Sequence, residues 1–259
     1  MKLPSPEAYA KTIVASVQEY SLLTWRAVAA IFSRPRYLAD TFFQMDSVGV
    51  GSLPIVILTG FFTGCVLTLQ SATSLKQFGA VNMTGRLVAL SMVKELGPVL
   101  TGLMVSGRNA SGMASELGSM KVSEQIDAMR ALGTDPIRKL VAPRIIATVF
   151  MLFFLTIVSD ACGVAGGALV AVGMLGLNGN TFFHTAYMSL VYGDVFEGLA
   201  KPLFSGFIIA TIGCFYGLRT SGGTRGVGKA TTQAVVVSSV LIILFDFLVT
   251  KMMIGIFGR

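Results

Sequence analysis

Residues 145–175 read IIATVFMLFFLTIVSDACGVAGGALVAVGML. Asp160 is the only charged side chain in this stretch. An α-helix needs about 20 consecutive apolar residues to cross a bilayer, and it satisfies its backbone hydrogen bonds within the segment, as a lipid environment requires. The stretch therefore predicts a transmembrane helix.

Four further apolar runs accompany it, and each is long enough to span. The five runs cover residues 48–70, 85–107, 145–175, 198–218 and 234–256. Composition agrees, because 53% of the residues are hydrophobic and only 13% are charged, whereas soluble domains carry roughly 25% charged residues. The predicted fold class is an all-α integral membrane protein with five transmembrane helices.

The N-terminal part differs from the rest. Residues 5–33 place apolar side chains near helical spacing, with charges elsewhere on the wheel, which predicts an amphipathic helix lying on the membrane. The stretch Arg34-Pro35-Arg36 should end this helix, and residues 37–44 suit a second short interfacial turn. We therefore predict an interfacial segment, 1–46, followed by a membrane domain, 47–259.

The connecting segments predict the orientation, since Lys and Arg near helix ends are retained on the cytoplasmic side. Connections 119–144 and 218–233 are rich in Lys and Arg, whereas 71–84 has one Lys and 176–197 has none. The N-terminus is then expected in the cytoplasm and the C-terminus outside. Four basic residues lie near the wrong side for this rule: Arg86, Lys201, Lys251 and Arg259.

Two adjacent charges, Lys94 and Glu95, fall inside the second run. A charge at the centre of a span costs at least about 2.5–3.5 kcal/mol, so each needs a partner or a cavity. We weigh two interpretations: neutralisation of charges on neighbouring helices, or the polar wall of a substrate cavity. Pro98 predicts a kink nearby, and Asp160 and Asp246 are further intramembrane acids with either a structural or a transport role.

Small and polar residues of the second run recur at three-to-four spacing and predict one polar stripe. Its members are Ser91, Lys94, Glu95, Pro98, Thr101, Gly102, Arg108 and Asn109.

The segment 121–142 resembles a compact helical elbow. Residues 122–132 suit a short helix, Gly133 suits its C-terminal cap, and Thr134-Asp135-Pro136 suits the start of another helix. Apolar side chains at Ile126, Met129 and Leu132 would form a ridge that inserts into a soluble partner; a helix lying on the bilayer surface is the alternative.

Glycine patterns have structural explanations. Gly60/Gly64, Gly163/Gly167 and Gly213/Gly217 are pairs that allow close helix packing. Residues 223–230 nearly match the phosphate-binding pattern GxxxxGK[ST], but Ala230 replaces the hydroxyl residue and no strand precedes it, so we expect a flexible loop.

Several function classes are excluded. No constellation of catalytic residues is present, so we expect neither enzymatic activity nor a bound metal or cofactor, and the scattered basic residues argue against nucleic-acid binding.

The motifs of residues 47–257 resemble those of the MlaE (YrbE) permease family. The matching segments are Gly60 through Gln70, Val93-Lys-Glu-Leu-Gly-Pro-Val99, Gly107-Arg108, Glu116-Leu-Gly-Ser-Met120, Glu124-Gln125, Asp135-Pro136, Pro143-Arg144, Gly163, Gly166-Gly167, Gly228-Lys-Ala-Thr-Thr232 and Asp246-Phe247. The resemblance implies a homodimeric ABC transporter permease of the bacterial inner membrane that moves phospholipid.

The resemblance also implies partners. They are an ATP-binding subunit like MlaF, which would hold ATP and Mg²⁺, an MCE-domain protein like MlaD outside the cell, and a STAS-domain protein like MlaB inside it.

Site residues follow from the same resemblance. Leu67 and Leu75 would line a lipid pocket beside the first span, with Phe78 where a relative has tyrosine. Lys94 replaces an arginine, and Gln233 replaces another. The substrate-binding set is Leu67, Gln70, Leu75, Phe78, Lys94 and Glu95, and the set that docks on the ATPase is Glu124, Asp127, Met129, Arg130, Gly133, Asp135 and Pro136.

Two alternatives stay open at this point. One is the permease of a small-molecule ABC importer, because the spacing from Asp127 to Gly133 is also typical of coupling loops in that class. The other is an ion-coupled secondary transporter that uses Glu95 and Asp160.

Overall fold

A computed structural model describes residues 6–35 and 37–257, and the regular elements there are helices. They are α1 Pro6–Phe32, α2 Leu38–Lys76, α3 Val81–Val122, α4 Gln125–Ala131, α5 Ile137–Gly173, α6 Gly179–Ser189, α7 Tyr192–Leu218 and α8 Gly223–Phe257. Five of them, α2, α3, α5, α7 and α8, are long and apolar enough to cross a membrane. The predicted all-α integral membrane fold with five spanning helices is confirmed.

Helix ends differ from the ends of the apolar runs. Helix α2 already begins at Leu38, so the separate turn predicted at 37–44 is wrong and the predicted boundary at 46/47 lies inside a helix. Likewise α8 begins at Gly223, so the flexible loop predicted at 223–230 is wrong. Hydropathy marks where a helix enters lipid, whereas helices end at caps and breakers. Arg36 lies outside the described residues.

The connection 176–197 also contains a helix, α6. The side chain of Asn178 caps it by accepting a hydrogen bond from Asn180 N at 2.9 Å. Helix α6 packs directly on the start of α3, because a Cβ at Gly85 would meet the carbonyl of Phe182. A helix therefore packs on the bundle at this end, opposite to the elbow.

Glycines bring the spanning helices into backbone contact, as predicted. On α2, a Cβ at Gly60 would lie 2.7 Å from the carbonyl oxygen of Ser159 on α5, and one at Gly64 would collide with the backbone of Gly163. On α7, a Cβ at Gly217 would lie 2.7 Å from Leu117 Cβ on α3. We call the α2–α5 contact the glycine seam.

Helix α1 is attached to α7 by polar contacts. Tyr20 and Thr211 share a hydrogen bond of 2.8 Å, and Arg219 forms an ion pair of 3.2 Å with Glu19. Val14, Val17 and Trp25 on α1 are exposed. A helix that lies on a membrane surface needs exposed apolar side chains of this kind on the face turned away from the bundle.

Candidate functional site

A shallow apolar groove of about 340 Å³ runs between α2 and α3. It is lined by Phe62, Thr63, Val66, Leu67, Gln70 and Leu96. Two residues of the predicted substrate set, Leu67 and Gln70, therefore lie together. We call this the α2–α3 groove.

The other predicted substrate residues lie outside this lining. Leu75 is half-buried one turn or more beyond Gln70, and Phe78 is 80% exposed past the end of α2. Lys94 and Glu95 directly precede Leu96 in the chain, but their side chains belong to a neighbouring charge cluster.

Lys94 anchors one half of that cluster. Its Nζ lies 3.0 Å from Asp194 and 3.3 Å from Glu197, both near the start of α7. All three side chains are mostly buried. The positive charge predicted to need a partner in the span thus has two.

Lys201 on α7 anchors the other half and is only 2% exposed. Its Nζ lies 2.7 Å from Glu95 and 3.1 Å from Asp246 on α8, and it donates to Thr250 at 2.9 Å. Three helices, α3, α7 and α8, are therefore held together at one buried ammonium group.

Lys201 also donates to the backbone carbonyl of Lys94 at 2.9 Å. This carbonyl lies four residues before Pro98, which has no N–H to bond it. The chain relieves the missing hydrogen bond with a π-helical turn, Met92–Leu96, and with the ammonium of Lys201. The irregularity predicted near Pro98 is therefore a π-helical turn.

The structure changes how the two charges of the second run are understood. Both are engaged by charges on neighbouring helices, while Glu95 keeps 37% of its side chain exposed. Sequence reasoning missed Asp194, Glu197 and Lys201 as their partners. The available signal was Lys201 itself, a basic residue that violated the positive-inside pattern.

The predicted single polar stripe on α3 is wrong. Arg108 faces α2, where it donates to Ser47 O at 3.0 Å and to Ser52 Oγ at 3.1 Å, whereas Glu95 faces α7 and α8. Glu95 lies inside the first π-turn, Met92–Leu96, and Arg108 lies inside a second one, Ser106–Ala110. Because a π-turn carries one extra residue, it rotates the following face by about 100° relative to a regular helix.

Asp160 is not part of the charge cluster. It is buried on α5 beside Gly97, and its Oδ1 has no hydrogen-bond partner among the described residues. Asp246, in contrast, is a direct partner of Lys201.

The elbow has the predicted helix–cap–helix order. Helix α4 spans Gln125–Ala131, and Gly133 adopts φ +76°, a left-handed conformation that suits glycine. The backbone N–H of Ile137 then donates to Asp135 Oδ1 at 3.0 Å as α5 begins.

Two ion pairs connect the residues of the elbow. Lys121 lies 2.7 Å from Asp127, and Arg130 lies 3.1 Å from the other oxygen of that carboxylate. The hydrogen bond from Lys121, helped by the charges of Lys121 and Arg130, lowers the pKa of Asp127 below its ordinary value. At the root of the elbow the buried Arg144 pairs with Glu116 of α3 at 2.8 Å.

The apolar ridge predicted on the elbow is not a single face. Ile126 is fully buried, whereas Leu132 is 83% exposed and Met129 is half-buried. Ile126 therefore belongs to the protein's own core, and the exposed surface consists of Leu132 with the charged residues around it.

Comparison with known proteins agrees with this architecture. The family model described as permease MlaE matches residues 41–252. The chain belongs to the MlaE permease family. Several relatives are named as transporter permeases. A probable ABC transporter permease protein of Rickettsia typhi is 42% identical over 238 residues, 92% of each chain.

Two further relatives have names that mention or concern lipids. The intermembrane phospholipid transport system permease protein MlaE of Haemophilus influenzae is 37% identical over 213 residues, 82% of each chain. The chloroplastic protein TRIGALACTOSYLDIACYLGLYCEROL 1 of Arabidopsis thaliana is 36% identical over 230 residues, 89% of this chain and 66% of the relative.

Proposed function

We propose that this chain is the membrane-spanning permease subunit of an ABC transporter that moves phospholipids between the inner and outer membranes. The match of residues 41–252 to the MlaE permease family carries the proposal. In it, a separate subunit binds ATP and Mg²⁺ and supplies the energy, and this chain provides the path for lipid. Two copies of the chain, an MCE-domain protein and a STAS-domain protein complete the assembly.

The α2–α3 groove supports a lipid substrate. Its lining is apolar apart from Thr63 and Gln70, which suits an acyl chain. Phe62 and Val66 are exposed at its edge, so a second copy that covers this edge would enclose the bound lipid. Leu96 of the groove lining directly follows Lys94 and Glu95 in the chain, so the headgroup would lie towards the charge cluster.

The elbow supports docking on an ATPase. Gly133 and the ion pairs of Asp127 fix α4 relative to α3 and α5, so a push on α4 would be passed to both spanning helices. The elbow then faces the cytoplasm, the N-terminus is cytoplasmic and the C-terminus is periplasmic. Labelling of single cysteines from either side of the membrane tests this orientation.

The first test addresses the groove. Leu67→Arg places a charge in the lining and should reduce the phospholipid recovered with the purified protein by at least about tenfold, since burying an unpaired charge in lipid costs about 2.5–3.5 kcal/mol. Leu69→Arg, on the same helix but outside the lining, is the control for insertion. Unchanged lipid recovery with Leu67→Arg, or a small molecule in place of lipid in mass spectrometry of the bound ligand, would contradict the assignment.

The second test addresses the elbow. Gly133→Trp places a bulky side chain at a residue with a left-handed backbone conformation. Arg130→Glu removes the ion pair between Arg130 and Asp127. Both should abolish co-purification with the ATP-binding subunit, or stimulation of its ATPase activity, while membrane insertion persists. Arg225→Glu reverses an exposed charge at the start of α8 and should leave the association intact. Normal stimulated turnover in the elbow variants would refute the docking role.

A further inference from the structure

A second apolar groove lies far from the α2–α3 groove, between α1, α5 and α7. It has a volume of about 590 Å³ and an almost entirely apolar lining. Its walls include Val28 and Phe32 of α1, Val149 and Phe153 of α5, and Leu203 and Phe207 of α7. We call it the root groove, because it lies beside the root of the elbow.

The root groove continues into a smaller cavity of about 290 Å³ that has a polar end. Ile31, Phe32 and Ile146 line both spaces. The far end of the smaller cavity is bordered by Arg138 and Tyr37. An apolar space thus leads directly to a guanidinium group.

Arg138 can bind a further oxygen. Its Nη1 donates to the carbonyl of Arg34 at 3.2 Å, and its Nε lies 3.4 Å from Asp135. A guanidinium has five N–H donors in a fixed fork, so the N–H groups of Nη2 are the ones that an external phosphate oxygen would meet. The side chain is 42% exposed and is held in place by the two contacts.

The length of the root groove matches one leaflet. From Arg138 to Phe153 the helix rises about 22 Å, at about 1.5 Å per residue, and half of a bilayer with its headgroups is about 20–22 Å. A lipid whose headgroup lies at Arg138 would therefore place the end of its acyl chain near Phe153, close to the middle of the bilayer.

From these observations we propose that the root groove and its polar end bind a phospholipid of the leaflet at the elbow end. One acyl chain fills the groove, and the phosphate accepts hydrogen bonds from Arg138. This lipid is separate from any that is transported, and it ties α1 to α5 next to the elbow. The site does not depend on the proposed transport function.

Photoactivatable phospholipid in vesicles of phosphatidylethanolamine and phosphatidylglycerol tests the site in the assembled transporter. Crosslinks mapped by mass spectrometry should concentrate on the walls of the root groove. Ile146→Trp should fill the junction of the two spaces and lower this labelling about tenfold. The matched control is Ile157→Trp, because Ile157 lies on the same helix with 40% exposure against 38% for Ile146, but outside the groove.

Two further variants keep the test informative if Ile146→Trp does not fold. Val28→Trp fills the groove from the opposite wall, and Arg138→Gln should weaken labelling about tenfold, the effect of losing one hydrogen bond to a charged group. Labelling spread evenly over the groove and the Ile157 face, or insensitive to both groove-filling variants, would overturn the site. Groove walls that stay unlabelled in the assembled transporter would also overturn it, since protein would then fill the groove. If Leu67→Arg reduces the recovered lipid while labelling of the root groove is unchanged, the result concerns only the proposed transport function.

Discussion

Replacing Lys201 by methionine should destabilise the bundle more than any change at an exposed lysine. The substitution leaves Glu95 and Asp246 facing each other, with separations to the lost ammonium of 2.7 and 3.1 Å. It also leaves the Lys94 carbonyl without its donor. Removing one partner of a buried ion pair costs about 3–5 kcal/mol. Glu95 keeps some hydration, which places the expected loss at the lower end, about 3 kcal/mol.

The loss can be measured by denaturant unfolding of the purified chain in lipid–detergent micelles. About 3 kcal/mol corresponds to roughly two powers of ten in the unfolding equilibrium constant. Lys251→Met is the control, because Lys251 is an exposed lysine on α8. Its free energy of unfolding should change by no more than about 0.5 kcal/mol.

A triple variant separates lost attraction from newly created repulsion. Glu95→Gln and Asp246→Asn, combined with Lys201→Met, remove the uncompensated carboxylates and should recover part of the stability, leaving mainly the unbonded carbonyl of Lys94. The reasoning is refuted if Lys201→Met unfolds at the parent's denaturant concentration, or if the triple variant is less stable than the single one.

Two further predictions concern packing and pH. Gly64→Ala should destabilise the chain by about 1–3 kcal/mol or more, because the added methyl group collides with Gly163. Gly107→Ala is the control, because its methyl group has open space. Equal effects of the two changes on the free energy of unfolding would contradict the glycine seam. Because the pKa of Asp127 is lowered in the folded chain, its contribution to the elbow is present above the ordinary pKa of aspartate and is lost only as the pH falls through the lowered value. Hydrogen exchange of residues 125–131 should therefore accelerate only in strong acid. Lys121→Met should move the onset of this acceleration to higher pH. An unchanged onset would show that the ion pair with Lys121 does not stabilise the charged form of Asp127.

The spanning helices could be predicted because lipid imposes one requirement on every residue of a span. The runs found by hydropathy all lie inside α2, α3, α5, α7 and α8, apart from the last two residues of 145–175. Helix ends could not be predicted in this way, since α2 and α8 begin at Leu38 and Gly223, ten and eleven residues before the apolar runs that hydropathy detects. The glycine of the elbow was predictable because a left-handed cap favours one residue type.

The site was only partly predictable for a different reason. Leu67 and Gln70 were named from the family resemblance, and they share a groove because residues three apart lie on one face of a helix. The partners of Lys94 come from α7, about one hundred residues away, and nothing local specifies them. The prediction of which α3 residues share a face was wrong because it assumed about 3.6 residues per turn throughout, whereas α3 contains two π-turns.

The glycine seam determines how a movement would pass through the subunit. Because Gly64 and Gly163 leave no side chain between their backbones, we expect α2 and α5 to move together as one rigid pair. Helix α5 continues from the elbow and begins with a π-helical turn, Ile137–Val141. A tilt imposed on the elbow would therefore tilt α2, which carries the wall of the α2–α3 groove at Leu67. The opposite wall is at Leu96 of α3, so the groove would widen or narrow to the extent that α2 and α3 tilt by different amounts.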